Sequence, residues 1–298
     1  VSATGLATGD AAADGLRWRR LRRTGKLLLG NRLALFGALW LLLLVALVLL
    51  QPWLGLPSPT DLSLSNQFRP PSREHLLGTD ENGRDVLARL LAGGRVSLAV
   101  GFAGALLTVL IASVLGVLAG YFGGVVDDVL MRLTDTLMAI PTFFLLMVIV
   151  SIWGSGIAVM VLALALTRWM DVARLVRAEV LRTKSQEFIA AAEALGAPSW
   201  RLMFKHLLPQ ALPSMIVATS LNVGYVMLVE AALSFLGLGI LPPTPSWGNM
   251  LTDSQYYVWT APQLAVYPGI AIALTVLAFN ALGDVVRDAL DPRMGAEK

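Results

Sequence analysis

The chain has 298 residues, 56% of them hydrophobic and only 14% charged, with a mean hydropathy of +0.69. An average soluble domain carries about 25% charged residues, so the composition excludes a soluble monomer and points to the membrane. The net charge of +3 comes from basic residues beside apolar runs, which suits anionic lipid headgroups rather than nucleic acid, and the lack of cysteine excludes disulfides, thiolate catalysis and Cys-based zinc sites.

Residues 1–16 are rich in Ala, Gly, Thr and Asp and read as a disordered arm. Residues 17–32 (RWRRLRRTGKLLLGNR) read either as a basic amphipathic segment on the inner membrane surface or as topogenic charge alone. The two stretches together form a cytoplasmic basic arm, 1–32. A bilayer-spanning helix needs about 20 mostly apolar residues, and six segments qualify. The first, 33–50, follows seven basic residues and is not followed by a small-x-small cleavage site. It reads as a retained anchor with its N-terminus inside.

Residues 51–95 form the longest external segment. It opens with turn formers. In HLLGTDENGRDVLARLLAGGRVSL, Thr79 or Asp80 is expected to cap a short interfacial helix leading into the second span. DENG lacks the alternating acids of a calcium loop. His75 has no neighbour at metal-ligand spacing, so a structural or exposed role is expected.

The second span covers about Val96–Ala119. The loop YFGGVVDDVLMRLTD that follows reads as a solvated helical entry, with Asp127, Asp128, Arg132 and Asp135 on one face. The third span, about Leu133–Trp153, contains Pro141. The fourth, about Gly156–Trp169, is short. The fifth covers about Leu212–Leu236 and the sixth about Ala265–Leu282. Between these two, prolines and a glycine forbid a long helix. Trp247, Tyr256, Tyr257 and Trp259 suit an aromatic belt at the outer headgroup level.

With the N-terminus inside, 18 of the 23 Lys and Arg fall on the cytoplasmic side, and the other five all lie in 51–95. Basic residues concentrate on the cytoplasmic side of membrane proteins, so both termini are expected there. The fold class is an all-α integral membrane protein with six transmembrane helices and a cytoplasmic helical hairpin.

Motifs for catalysis are missing. No G-x-x-x-x-G-K-[ST] phosphate loop, H-E-x-x-H or G-x-S-x-G occurs. His75 and His206 fall on opposite sides of the membrane, so no two-His metal site is expected. Transport or a structural membrane role remains.

Ionisable residues at membrane depth are costly and mark function by default. Glu230, in VMLVEAALSFLGLG, is expected near the outer leaflet boundary. It either lines a translocation pathway, caps a loop, or pairs with an arginine such as Arg95. Asn222 and Asn280 lie deeper, and serve either the pathway or hydrogen bonds between helices.

Residues 170–210 read as a cytoplasmic docking knob. Ala190, Ala191, Ala192 and Ala194 keep its first helix slim enough to enter a groove on a partner. Gly196 permits the left-handed turn that ends it. Ser199 is expected to cap the next helix. Trp200, Met203 and Phe204 supply apolar anchors, and Pro209 marks a boundary before the fifth span.

This hairpin resembles the EAA loop of permease subunits of bacterial ABC importers. That pattern is E-A-A, three residues, G, nine residues, I-x-L-P. Ala191, Ala192, Gly196, Leu208 and Pro209 match, while Ala190 stands at the Glu position and His206 at the Ile position. Those two departures suit the peptide/nickel branch. LGTDENGRDVLARLLAGGRVSL, LSFLGLG followed by PPTPSWGNML, and GDVVRDALDPR are similar to other segments of that branch, in the same order. The resemblance covers about residues 75–293 and looks like the C-type subunit of the dipeptide/oligopeptide/nickel importers.

The resemblance implies a permease domain over 96–293, with 294–298 as tail, in a bacterial inner membrane. It implies four partners: a homologous B-type permease, two cytoplasmic ATPase subunits and an extracytoplasmic peptide-binding protein. Glu187, Ala190, Ala191, Ala192, Glu193, Gly196, Ser199, Trp200 and Arg201 would contact an ATPase. ATP and Mg would bind the ATPases, leaving this chain without cofactor, metal or catalytic residue. Peptide import by alternating access follows, with nickel or another small solute as the alternative. From a different class, a proton-coupled secondary transporter would need ionisable pairs at the midplane and usually internal repeats.

Overall fold

The computed structural model describes Gly25 and residues 27–290. The expectations for the basic arm and for the end of the tail lie outside those residues. The regular elements within them are all helical.

Asn31 starts α1 (Arg32–Leu50). Its side-chain oxygen accepts from the N–H groups of Leu33 and Ala34, both at 3.1 Å, which satisfies two donors that a helix start leaves orphaned. The next long helix, α2 (Val86–Phe122), is capped by Asp85 rather than by Thr79 or Asp80. The Asp85 carboxylate accepts from the Ala88 N–H at 2.7 Å. Asp80 is already occupied in the loop, accepting from the N–H groups of Asn82 and Arg84. α2 then runs unbroken for 37 residues, about 55 Å at 1.5 Å per residue. The expected interfacial helix and second span are therefore one element.

The expected third span is two helices, α3 (Gly124–Met138) and α4 (Thr142–Trp153), bent by 89°. Pro141 has no N–H to donate and drives the residue before it out of the helical region, so the chain turns there and restarts. The expected fourth span is only the apolar start of α5 (Ile157–Lys184). No Gly or Pro interrupts residues 170–184, and the helix continues through them toward the hairpin. α2 and α5 pack closely. A Cβ at Gly116 would stand 2.6 Å from the Ala173 carbonyl oxygen, so the glycine itself sets the approach of the two helices. α3 is bound to α5 by ion pairs, Asp127 with Arg177 at 2.5 Å and Asp135 with Arg174.

After the short helix α6 (Glu187–Ala194), a single turn (Ser199–Arg201) and a π-helical stretch (Leu202–Leu207) lead into α7 (Leu208–Phe235). The helical path passes through Pro209 instead of ending there. Pro209 cannot donate to the preceding turn, and the wider π register just before it absorbs the defect. α8 (Trp247–Ser254) starts at a reciprocal cap between Ser246 and Asn249, and α9 (Gln263–Leu290) follows.

Four helical stretches among the described residues are long and apolar enough to cross a membrane: Arg32–Trp53, Val86–Phe122, Ser199–Phe235 and Gln263–Leu290. The bent pair α3–α4 makes a fifth if taken as one broken span. α5 falls short of that test because Arg168, Asp171 and Arg174 enter within its first 18 residues. By length and composition, four or five of the six expected spans qualify, and α5 is the one that does not.

One part of the core joins α1, α2, α7, α8 and α9 through residues such as Leu44, Leu98, Met227, Trp247 and Phe279. A second part joins α2 and α5 to the hairpin through Val109, Val176, Val180, Ile189, Met203 and Leu207. Trp247 is fully buried and donates from Nε1 to the Leu90 carbonyl at 2.8 Å. It therefore leaves the expected aromatic belt, in which Tyr256 and Trp259 do stand exposed.

An ion network locks residues 80–89 to α8. Asp80 pairs with Arg84 and Arg89, and both arginines reach Asp253 of α8, at 3.3 and 3.1 Å. Glu81 joins through Arg84 at 2.6 Å. Burial, and then the charge of Asp80, push the Glu81 carboxyl above its ordinary value of 4.5. His75 is structural, with Nδ1 2.9 Å from the Asp85 carboxylate.

Candidate functional site

The hairpin between α5 and α7 is the candidate site. Its first helix, EFIAAAEA, has one inward anchor. Ile189 is buried against the second core, while Glu187, Ala190, Ala191, Glu193 and Ala194 face outward and Ala192 is half-buried. Small side chains on the outward face let another backbone come close. Glu187 sits in the first turn, where a carboxylate is favoured by the helix dipole.

Gly196 ends this helix in the left-handed region, at φ +77°. The N–H of Ala197 donates to the Ala192 carbonyl at 3.1 Å, and that of Gly196 to the Glu193 carbonyl at 2.9 Å. This pair of bonds is the Schellman closure, which satisfies the last carbonyls of α6. Ser199 does not cap the next turn. Pro198 holds the cap position, and its carbonyl accepts from the N–H groups of Arg201 and Leu202. Ser199 is left exposed on the hairpin surface.

The three expected anchors divide. Met203 turns into the core, whereas Trp200 and Phe204 face solvent, Trp200 at 60% exposure. The Arg201 guanidinium lies 5.7 Å from the centre of the Trp200 ring. Leu195 is 89% exposed and was not among the expected anchors. Its signal was available, as a large apolar residue beside the turn glycine of a polar loop. Each of these side chains stabilises a contact by about 1.5–3 kcal/mol when fully buried.

The base of the hairpin is tied to the bundle. Lys184 Nζ donates to the Tyr121 carbonyl at the end of α2, at 2.5 Å. Ser214 of α7 donates to the Glu179 carboxylate of α5 at 2.8 Å.

The residues expected on a pathway are not gathered in one place. Glu230 has no exposed surface. It accepts from Ser97 Oγ at 3.2 Å and Ser234 Oγ at 2.7 Å, and those hydroxyls accept in turn from the Trp247 and Ile240 N–H groups. It forms no ion pair among the described residues, and Arg95 is exposed elsewhere. Asn280 lies on a groove of about 780 Å³ between α7, α8 and α9, lined mostly by apolar side chains such as Leu228, Phe235, Ile272 and Leu277, with Ser254 and Gln255 at the α8 side. Asn222 lies on a separate groove between α5 and α7, beside Arg168 and Asp171.

Residues 112–296 match the family described as binding-protein-dependent transport system inner membrane component. The chain is 41% identical to a glutathione transport system permease protein of Pectobacterium atrosepticum, over 93% of this chain and 90% of the relative. It is 39% identical to a dipeptide transport system permease protein of Alkalihalophilus pseudofirmus, over 92% and 90%. It is also 39% identical to a nickel transport system permease protein of Escherichia coli, over 90% and 98%.

Proposed function

Because the chain belongs to the binding-protein-dependent transport inner membrane family, we propose that it is a permease subunit of an ATP-driven importer and that its cargo is a short peptide. The hairpin carries this reading. It is a slim, closed helix with apolar side chains facing outward and Ile189 fastened into the bundle core. An exposed apolar patch on a rigid knob is what a partner surface engages.

On this reading the chain pairs with a homologous permease. Two cytoplasmic ATPase subunits each grip one hairpin, through Glu187, Ala190, Ala191, Ala192, Glu193, Gly196, Ser199, Trp200 and Arg201. ATP and Mg are bound and used on the ATPases, and this chain performs no catalysis. Closure of the ATPases draws the hairpins together and opens the bundle outward to a loaded binding protein. Hydrolysis resets it inward. α5 is the sixth crossing, its charges facing a cavity rather than lipid, and both termini are cytoplasmic. The membrane is a bacterial inner membrane.

Peptide is favoured because two of the three relatives above are named for peptide cargo, glutathione being a tripeptide. Nickel is the second reading, supported by a relative of nearly equal identity. The test is reconstitution of the full complex in proteoliposomes with its binding protein. ATP-dependent accumulation of dipeptide is expected. Accumulation of nickel alone would move the cargo to the second reading. Uptake driven by a proton gradient without ATP would overturn the importer mechanism itself.

A further inference from the structure

We propose that the groove between α5 and α7 contacts both charged ends of the cargo peptide, with Arg168 taking the carboxylate and Asp171 the ammonium group. This rests on the peptide reading above and assigns it a site. The groove holds about 380 Å³ and is lined by Arg168, Asp171, Val172, Leu175, Asn222 and Tyr225 among others. Small-molecule clefts run from roughly 300 to 1,000 Å³.

Its depth is the first argument. Asn222 is near the middle of α7, about 20 Å from either end at 1.5 Å per residue. Arg168 lies across from it, its Nε 3.5 Å from the Asn222 side-chain oxygen. An arginine and an aspartate at mid-membrane are costly unless they face a water-filled cavity, and such residues mark substrate paths. The sequence had suggested instead that Arg168 sits at the cytoplasmic end of a short span.

The second argument is how the groove is furnished. The Arg168 guanidinium carbon lies over the Tyr225 ring, 3.9 Å from its centre. Its Nη1 donates to Asp171 at 2.8 Å. No partner among the described residues takes Nη2. A planar guanidinium held against a ring is pre-organised for a carboxylate.

The third argument is an orphan. Asn222 is only 4% exposed, and its Nδ2 donor is buried without a partner. An unpaired buried donor is costly, and a rotation of the Asn222 side chain toward the groove would bring it to a cargo carboxylate beside Arg168. Asp171 is half exposed and open to a cationic group. The pair thus offers donors for one end of a zwitterion and an acceptor for the other. A bare divalent cation would meet the guanidinium as a like charge.

The test uses the full complex in proteoliposomes with three probes: dialanine, dialanine amide and N-acetyl-dialanine. Each variant is compared with the unmutated complex for the same probe, so the preference of the binding protein cancels. Arg168→Gln is expected to lower dialanine uptake about tenfold, the low end for losing a charge-assisted hydrogen bond, while changing amide uptake less than about twofold. Asp171→Asn is expected to lower dialanine uptake to a similar degree and to spare the N-acetyl probe. This crossed pattern cannot come from a merely structural pair, nor from a groove covered by the partner permease.

Equal effects on all three probes, or none, overturn the proposal while leaving peptide import intact. Failure of both variants to co-purify with the ATPase subunits makes the pair structural and overturns it as well. If the unmutated complex imports nickel and no dialanine, the peptide reading falls and takes the proposal with it.

Discussion

Gly196 offers the sharpest test of the docking role proposed for the hairpin. Its φ of +77° is reached freely only by glycine, yet nothing lies within 4 Å of where a Cβ would sit. Gly196→Ala therefore adds no clash, and its cost is conformational alone. A non-glycine residue in the left-handed region costs about 1–2 kcal/mol. If that cost falls wholly on the docking-ready hairpin, its population relative to other hairpin conformations drops by about 5–30-fold at 1.4 kcal/mol per decade, which is the upper limit for the loss in apparent affinity for the ATPase. Asparagine enters this region more easily, so Gly196→Asn is expected to fall between glycine and alanine. Gly196→Arg adds bulk in open space, and any loss beyond that of alanine measures direct obstruction of the partner. The assay is titration of labelled ATPase subunits onto the detergent-solubilised permease pair, with peptide transported per ATP as a second readout. The melting temperature of the bundle should not change. Equal affinity for Gly196 and Gly196→Ala, or weaker binding by asparagine than by alanine, would refute the reasoning.

Three further predictions follow from the geometry. Leu195→Asp and Trp200→Ala should each weaken ATPase binding by about 2 kcal/mol or more if they are anchors, as read by co-purification, without lowering the thermal stability of the permease. Glu230→Gln keeps an acceptor for one of Ser97 and Ser234 and turns the other contact round, its amide nitrogen donating to that hydroxyl, and should leave uptake and melting near normal. Glu230→Leu orphans buried groups at about 1–3 kcal/mol each and should lower the melting temperature; loss of uptake in Glu230→Gln with unchanged melting would instead put Glu230 on the transport path. Glu81 binds its proton more readily in the folded chain, so its contribution to stability falls as pH rises from 4.5 through its raised value. Glu81→Gln should equal or exceed the parent in thermal unfolding at neutral pH, with the difference closing toward pH 4.5, and a variant less stable at neutral pH would sink this account.

The sequence made the hairpin legible because its signals are local. A run of alanines, a glycine at the turn and a proline after it each act within a few residues. What it obscured depends on the rest of the chain. Asp85 outcompetes Thr79 and Asp80 as a cap because Asp80 is spent on a network that reaches Asp253, more than 160 residues away. Trp247 looks like an interfacial aromatic by composition, but a backbone carbonyl of α2 takes its indole N–H. The bend at Pro141 was visible as a proline, yet its 89° could not be read from one residue. Arg168 reads as the end of a span because apolar character stops there, while helix character continues to Lys184. Glu230 was rightly singled out as unusual, but its serine partners lie on two different helices.

The proposed mechanism asks what the hairpin must do energetically. Moving a two-state bundle from 1:99 to 99:1 takes about 5.5 kcal/mol of differential interaction. Leu195 and Trp200 together supply about 3–6 kcal/mol on full burial, but only if they are buried in one state and not the other. Anchors that stay engaged throughout the cycle shift nothing, however tightly they hold. Docking energy therefore cannot drive the cycle, and the ATPases must supply the difference through the spacing of the two hairpins. The hairpin then needs stiffness more than affinity. Its construction has that property: Ile189 and Met203 are set into the core, Lys184 is bonded to the end of α2, and the π stretch runs without a break into α7. α5 enters this lever and α7 leaves it, so displacing it must move the ends of both helices that meet the hairpin. The groove that holds Arg168, Asp171 and Asn222 lies between those same two helices at mid-depth, where such a displacement would change its shape first.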